Sequence, residues 1–458
     1  MNVDRVDRSR LPEPGPEPTF RFPQIARRTL PNGLRVWTVE HRGLPVIALI
    51  ALVPAGASSD PADRPGLAAL TADMLDEGAG GRSALELQEA IGRIGASLDT
   101  EVGSDATMIT LAMLSRFTDR GLVLLSDILT RPSLDEHEFT RLRELRVNRL
   151  TQLRDVPPSL ADRAFSRLLF GTHPYAHLPM GTEPSLRAMT HDEVCAFHHR
   201  SYDPACATII AVGDFSHAEM EQAVGTAFAG WTAAPGTATA AAVPALVPPV
   251  TGSRVAIVAR AGAPQSELRI GQVGAERTTR DYHALLVLNS VLGGQFVSRI
   301  NMNLREHKGY TYGARTTFDF RRGRGPFLLQ TSVHTQATAA AVRESFKEMS
   351  AIRDERPATP DEVQMARASL TRGFPRSFET SEQVARAVAQ LALYDLPDDS
   401  FEEFVPCVNA TSEDEVTRVA NVYLQPAEMI TIVVGDPDVV APALQAEGFP
   451  EPVLVTVE

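Results

Sequence analysis

The residues of this chain that could do chemistry are few and scattered. His173 and His177 stand four apart, the spacing at which two imidazoles on one helix share a face and can hold one metal ion. Pro174 follows His173 directly, however, so the pair is expected in a turn. His198 and His199 are adjacent and point to different helical faces, as a solvated surface pair would. The acidic run Asp135–Glu138 fits a helix start, where the macrodipole favours carboxylates. Ser290 and Ser298 lie near glycines but outside any GxSxG elbow. Gly78–Gly81 lacks the Lys-Ser or Lys-Thr that completes a phosphate loop. Cys195, Cys206 and Cys407 are odd in number and form no CxxC pair, which argues against a disulfide framework or a cysteine zinc site and for small apolar packing residues. What remains is Arg305 and Tyr312, seven residues apart in LREHKGYTYGA. A guanidinium fork and a phenolic hydroxyl can grip a carbonyl or a developing oxyanion. On their own these two residues favour a plainer reading, a helix-surface ion pair for Arg305 and strand packing for Tyr312.

The elements that would position such groups come in two copies. Thr190–Phe215 (THDEVCAFHHRSYDPACATIIAVGDF) and Ser412–Pro437 (SEDEVTRVANVYLQPAEMITIVVGDP) share Asp-Glu-Val, Pro-Ala and Val-Gly-Asp at a constant offset of 222 residues. Each copy reads as a helix N-cap, Thr190 or Ser412, with acids in the first turn, then a helix ending before proline. A β-branched buried strand follows, Thr208–Val212 or Ile430–Val434, closed by Gly-Asp. Asn32-Gly33, between Arg28–Leu30 and Leu34–Val39, is a hairpin signal. A buried strand is expected at Val46–Pro54 and a helix at Gly66–Leu75. The second copy should carry strands at Arg254–Ala259 and Glu267–Val273 and a helix at Asp281–Leu292. Long amphipathic helices are expected near Leu134–Leu153 and Thr359–Phe374. Residues 233–253, rich in proline, alanine and threonine, read as an extended linker. The chain therefore divides into a flexible start at 1–24, one domain at 25–232, the linker, and a second domain at 254–445. The fold class is α+β: two duplicated domains, each a mixed, mostly antiparallel sheet covered by helices, facing each other as a clamshell.

The composition narrows the function. With 458 residues, 43% hydrophobic and 22% charged, the chain can build its core without disulfides or a structural metal. A net charge of -13 would repel nucleic acid phosphates. The longest apolar run, Pro45–Ala57, falls short of the roughly 20 residues of a membrane helix, so no membrane span is expected. The charged, proline-containing stretch Met1–Phe20 has no apolar core of a secretory signal. The expected location is cytoplasmic, with periplasmic export left open.

Several segments resemble the insulinase/pitrilysin (M16) zinc peptidases, the family of mitochondrial processing peptidase. These are Thr29–Val36 (TLPNGLRV), Gly171-Thr-His-Pro-Tyr175 with Gly181, Tyr202-Asp-Pro204 with Val212-Gly-Asp214, Leu292-Gly-Gly294, and Leu304-Arg-Glu306 with Gly309–Gly313. They run in consistent order from about residue 25 to 440. Active members carry an inverted HxxEH motif on the first long helix: two histidines hold zinc, and the glutamate acts as general base on zinc-bound water. A further glutamate on a later helix completes the set.

Here the matching helix reads GLAALTADML. Ala69 stands for the first histidine, Ala72 for the base and Asp73 for the second histidine. The distal glutamate should fall at Asn148 or Arg149, neither of them acidic. The resemblance thus implies that this chain has no catalytic residues and no metal of its own, and is not expected to be catalytic alone. It also implies that Arg305 and Tyr312 are the family's substrate-holding pair, with Gly293 and Gly294 in a glycine loop lining the cavity; a simple helix C-cap is the plainer reading of those glycines. The functional expectation is a non-catalytic, substrate-positioning subunit. Its partner would be an HxxEH-bearing subunit that holds the zinc, and the pair would act on peptides. The alternative is a non-enzymatic, homodimeric binding or scaffold protein of the same fold.

Overall fold

The computed structural model describes Ser9, Gly15, residues 20–233 and residues 254–457. The expected linker, apart from Ala233, and most of the expected flexible start lie outside the described residues. Fourteen labelled strands run β1 (Ile25–Thr29), β2 (Arg35–Glu40), β3 (Val46–Val53), the short β4 (Gly78–Ala79) and β5 (Arg82–Ser83), β6 (Ser97–Val102), β7 (Thr107–Leu114), β8 (Thr208–Gly213), β9 (Arg254–Ala259), β10 (Gln265–Val273), β11 (Ala314–Phe318), β12 (Pro326–His334), β13 (Ile430–Gly435) and β14 (Val453–Leu454). The first-half helices are α1 (Leu67–Asp73), α2 (Ala84–Arg93), α3 (Thr118–Thr130), α4 (Glu136–Leu153), α5 (Pro157–Phe170), α6 (Glu183–Ala188), α7 (His191–Ser201) and α8 (His217–Ala227). The second half carries α9 (Tyr282–Asn289), α10 (Arg299–Asn301), α11 (Thr338–Ala351), α12 (Pro360–Arg372), α13 (Ser381–Tyr394), α14 (Phe404–Ala410), α15 (Glu413–Tyr423) and α16 (Pro437–Ala446).

The duplication extends to the topology of five strands in each sheet. The first sheet runs β1-β2-β8-β3-β7-β6, and the second runs β14-β9-β13-β10-β12-β11 when read from its corresponding edge. In each, one pair is parallel, β2 with β8 or β9 with β13, and the next three pairings are antiparallel; the edge strands differ, β1 joining β2 antiparallel and β14 joining β9 parallel. The bounds of α7 and β8 recur in α15 and β13 shifted by the 222 residues read from the sequence. Thr190 caps α7 through a reciprocal box with Glu193, and Ser412 caps α15 by accepting from the Glu415 N–H. The two sheets thus realise the expected pair of α+β domains.

The helices are not shared out as the chain order suggests. β8 and β13 are buried along their whole length, so both faces of each sheet need an apolar cover. One face of the first sheet packs on that half's own helices. The other packs on α13, which belongs by sequence to the second half: Val384, Val388 and Leu391 lie against Trp37, Ile50 and Val212. The second sheet is covered in return by α5 of the first half, whose Ala161, Phe165 and Leu169 meet Val258, Ile432 and Val434. Each aliphatic side chain fully buried there contributes about 1.5–3 kcal/mol. Polar ties flank the exchange. Tyr175 donates to Asp105 (2.7 Å) and accepts from the Gly323 N–H (2.8 Å), while Asp105 also accepts from the Arg322 N–H. Arg269 pairs with Asp162 at 2.6 Å, and Arg386 with Glu101 at 3.0 Å. Among the described residues no helix is long and apolar enough to cross a membrane.

Because each half lends the other a helix, neither should fold alone. Residues 1–233 or 254–458 expressed singly are expected to be insoluble or molten, and co-expression should restore a soluble one-to-one pair. A monomeric fragment with sharp, native-like amide spectra would disprove the dependence.

Candidate functional site

The helix that corresponds to the metal-bearing one is short and deeply set. Asp60, 6% exposed, accepts from the N–H groups of Gly66 and Ala68 at 2.7 Å each and so caps α1. Gly66 has φ 99°, and a Cβ there would stand 2.9 Å from the Cα of Gly181. That close approach gives a structural reason for both glycines. Ala69 and Ala72 are buried in the packing around α1. Asp73 forms an ion pair with Arg146 of α4 at 2.6 Å, and Arg146 also donates to the Pro179 carbonyl at 3.1 Å. Asn148 and Arg149 face outward on α4, with Arg149 bonded to Gln152.

These residues do not fit a zinc ion. Two of the positions offer methyl groups, and the one carboxylate already holds a guanidinium, a cation supplied by the chain itself. Among the described residues no group of three or more His, Cys, Asp or Glu is gathered as a metal cluster.

The remaining sequence candidates separate. His173 caps the turn Pro174–Ala176, its Nδ1 accepting from the Tyr175 N–H at 3.1 Å, and His177 ends that turn. His198 corrects the expectation of a solvated pair: it is half-buried, stacks on Tyr202 with ring centroids 4.7 Å apart, and hydrogen-bonds the Leu129 carbonyl. His199 is exposed. The three cysteines are free and half-buried rather than core residues, and burial raises the Cys195 and Cys407 thiols, the reverse of a reactive thiolate.

The second half keeps a polar cavity of about 500 Å³. Gly293, Gly294, Asn301, Arg305, Arg315 and Glu267 line it. Two π-helical turns shape its wall, Ser290–Gly294 and Met302–His307. Such turns widen a helix by one residue and often mark sites. Gly293 lies against β11, where a Cβ would stand 2.5 Å from Thr316 Oγ1. Its glycine therefore serves close approach. Neither Gly293 nor Gly294 is left-handed, so the C-cap reading gives way to a π turn. The Asn301 amide donates to the Phe296 carbonyl at 2.6 Å and its oxygen accepts from the Ala314 N–H, which fixes the loop before α10 to the start of β11.

Arg305 lies 4.4 Å above the Phe296 ring and pairs with Glu306 at 3.2 Å, leaving its fork at the cavity. The structure thus brings Arg305 together with Gly293 and Gly294. Tyr312 sits in the bend before β11, 89% exposed rather than packed in a strand; it adjoins the cavity-lining Gly313 but is not itself among the lining residues. Asn301, Arg315 and the buried Glu267 were missed from sequence because nothing local marks them. Strand alternation places Arg315 on the outer face of β11, but only the sheet, with β12 between, brings it to the same cavity wall as Glu267 of β10. Chemically, the cavity offers arginine and amide donors to peptide carbonyls. Ser332 donates its hydroxyl to Glu267 at the cavity wall, and Glu267 is already paired with the buried Arg269.

The chain matches two family models in succession, one described as insulinase (peptidase family M16) over residues 37–175 and one described as peptidase M16 inactive domain over residues 188–370. An uncharacterized zinc protease of Mycobacterium leprae is 26% identical over 305 residues, 64% of this chain and 66% of that protein, so the match spans just under two thirds of that relative's length. A relative in Arabidopsis thaliana named probable mitochondrial-processing peptidase subunit beta is 23% identical over 271 residues, 59% of this chain and 51% of that one. Among solved structures, a peptidase M16 inactive domain from Pseudomonas fluorescens superposes with a TM-score of 0.84 at 24% identity, covering 90% of this chain and 98% of that one. A protease from Helicobacter pylori also scores 0.84, at 20% identity over 91% of this chain and 100% of that one.

Two outcomes test the site. Restoring the motif with Ala69→His, Ala72→Glu and Asp73→His should not yield one zinc per chain by elemental analysis, because the added side chains overfill buried positions, at about 1–3 kcal/mol each, and Arg146 loses its counter-ion. Stoichiometric zinc with an unchanged melting temperature would refute this. The second outcome concerns pH. Burial lowers the His198 imidazole, and burial together with Arg277 lowers His283 to about 4. Both folded values lie below the unfolded value of about 6.5. Their contribution to stability is therefore complete above that pH and declines as pH falls below it, for His283 through the range down to about 4. His283→Gln should flatten part of the melting-temperature decline over that window, and an unchanged slope would disprove the assignment.

Proposed function

The chain belongs to the insulinase (M16) peptidase family, and on that premise we propose that it is the non-catalytic, substrate-positioning subunit of a heterodimeric zinc peptidase acting on peptides. The observation that carries this reading is the contrast between the halves: alanines and an Asp73–Arg146 ion pair stand at the metal positions, while Arg305 and two close-packed glycines line an open polar cavity. The zinc and its general base belong to a partner subunit bearing HxxEH. This chain contributes donors that hold the peptide backbone and a wall that helps enclose it.

Tyr312 favours the second reading, a homodimeric binding or scaffold protein, because its side chain stands in solvent and is not among the residues that line the cavity. Docking of the partner would have to bring it to the peptide.

Gentle purification of the tagged chain from its host should recover a similar-sized HxxEH subunit in near-equal amount. In that complex Arg305→Ala should lower kcat/KM by about 10- to 100-fold without dissociating the subunits, the scale of losing a charged donor that acts on the reacting carbonyl. Tyr312→Phe should lower it less. Full turnover in both variants, or recovery of this chain only as a homodimer, would favour the scaffold.

A further inference from the structure

A second cavity, of about 620 Å³, opens where the two halves meet. Its walls come from α5 and the loop at Leu178 in the first half, from the end of β11 with Asp319–Arg321, and from the exchanged helix α13 through Gln390 and Tyr394. The helix exchange therefore creates this space, and the cavity that Arg305 lines is separate from it in residues.

The arginines of this region are not treated alike. Arg269, 3% exposed, is answered by Asp162 and Glu267. Arg299, 5% exposed, is answered by Glu362 and the carbonyls of Arg356 and Pro357. Arg277 is different. Its guanidinium lies flat on Tyr282, 3.6 Å from the ring centroid, half-buried at the second cavity. Among the described residues no carboxylate pairs with it and its side chain makes no hydrogen bond. A ring face returns only part of the lost hydration, and buried charges are as a rule paired. Its neighbour Arg321 grips Asp319 through Nε and Nη2, at 2.9 and 2.7 Å, and leaves Nη1 buried without a partner. Tyr394 adds a hydroxyl that burial, then the charges of Asp105 and Asp319, push up to about 12; it stays protonated and donates to the Phe320 carbonyl at 3.3 Å, which fixes that wall. Tyr282, Phe318 and Phe320 complete an aromatic wall.

We propose that this cavity is a second ligand site, in which Arg277 takes the carboxylate of a peptide and the aromatic wall takes the apolar side chain beside it. A single negative charge suits the site. Asp162 and Asp319 also line the cavity and would repel a dianion such as phosphate, whereas one carboxylate answers the one unpaired guanidinium, bidentately and without excess. The choice of a peptide as ligand rests on the peptide-handling reading above. The position between the halves, on residues other than those around Arg305, makes this a holding site for a peptide end or acidic residue away from the cavity that Arg305 lines.

Fluorescence anisotropy on the purified full-length chain tests it. The probe is fluorescein-labelled Ala-Ser-Ala-Ser-Ala-Phe as the free acid, as the C-terminal amide, and as the amide with glutamate replacing the last serine. The free acid should bind at least about tenfold tighter than the plain amide, the size of a charge-assisted hydrogen bond. Arg277→Gln should bring the free acid down to the level of the amide. Gln390→Trp, at an exposed position on α13 that carries no core contact, should block binding in a chain that melts as the parent does. Arg305→Ala should leave the preference for the free acid over the plain amide unchanged. Tight binding of the glutamate-containing amide would support the same site with an internal acidic residue as its source. Equal binding of free acid and plain amide, binding by both cavity variants as by the parent, or no binding of any probe overturns the proposal. Loss of binding in Arg305→Ala with retention in Arg277→Gln would overturn it too, while leaving the role of Arg305 intact.

Discussion

The exchange of α5 and α13 is the constraint on which the rest of the molecule depends. A sheet whose central strand is apolar on both faces cannot leave one of them in water, and each half lacks the helix to cover its own. Borrowing the helix from the other half joins the two sheets through their cores. The polar ties then find fixed partners: Tyr175 and Asp105 hold the backbone at Arg322 and Gly323, and Arg269 reaches across to Asp162. The cavity at Arg277 exists because the helices cross there. The histidine–proline–tyrosine segment, which the family resemblance marks, has a structural task in this chain: Tyr175 fastens one half to the other.

The region around α1 shows how a fold keeps its shape after its metal positions change. Histidines replaced by nothing would leave voids and unpaired charges, each costly. Here alanines are closed in by their neighbours, and Asp73 is neutralised by Arg146 rather than by an ion. The N-terminus of α1 stays capped by Asp60. The helix therefore holds its place through packing, its cap and an ion pair. In the second half two π-helical turns, an imperfect helix by any local standard, hold Arg305 and the glycines at an open cavity.

Much of the fold was legible because hydrophobic period and caps are local signals. The hairpin at Asn32-Gly33, the buried strands at 46–53 and 208–213, and the capped helices after Thr190 and Ser412 stand where their residues place them. The duplication at 222 residues carried over to strand order and to parallel and antiparallel pairing, since repeated sequence repeats its packing demands. The less legible parts depended on what a residue meets in space. His198 reads as a surface imidazole until α7 brings it onto Tyr202 and the Leu129 carbonyl. Gly293 and Gly294 read as a helix cap until β11 is seen to press on Gly293.

The sequence by itself determined that the chain is a twofold α+β repeat and that no HxxEH stands at residues 66–75. It also places Arg305 and Tyr312 seven residues apart in the second copy, a spacing to which only the family resemblance gives a meaning. These are facts of residue type and spacing. Only the tertiary structure decided that the halves exchange helices and that Arg146 occupies Asp73. It alone put Tyr312 in solvent, outside the lining of the cavity at Arg305, and left Arg277 charged and unpaired between the halves. Each of those is set by contacts between residues far apart in the chain, which no local pattern encodes.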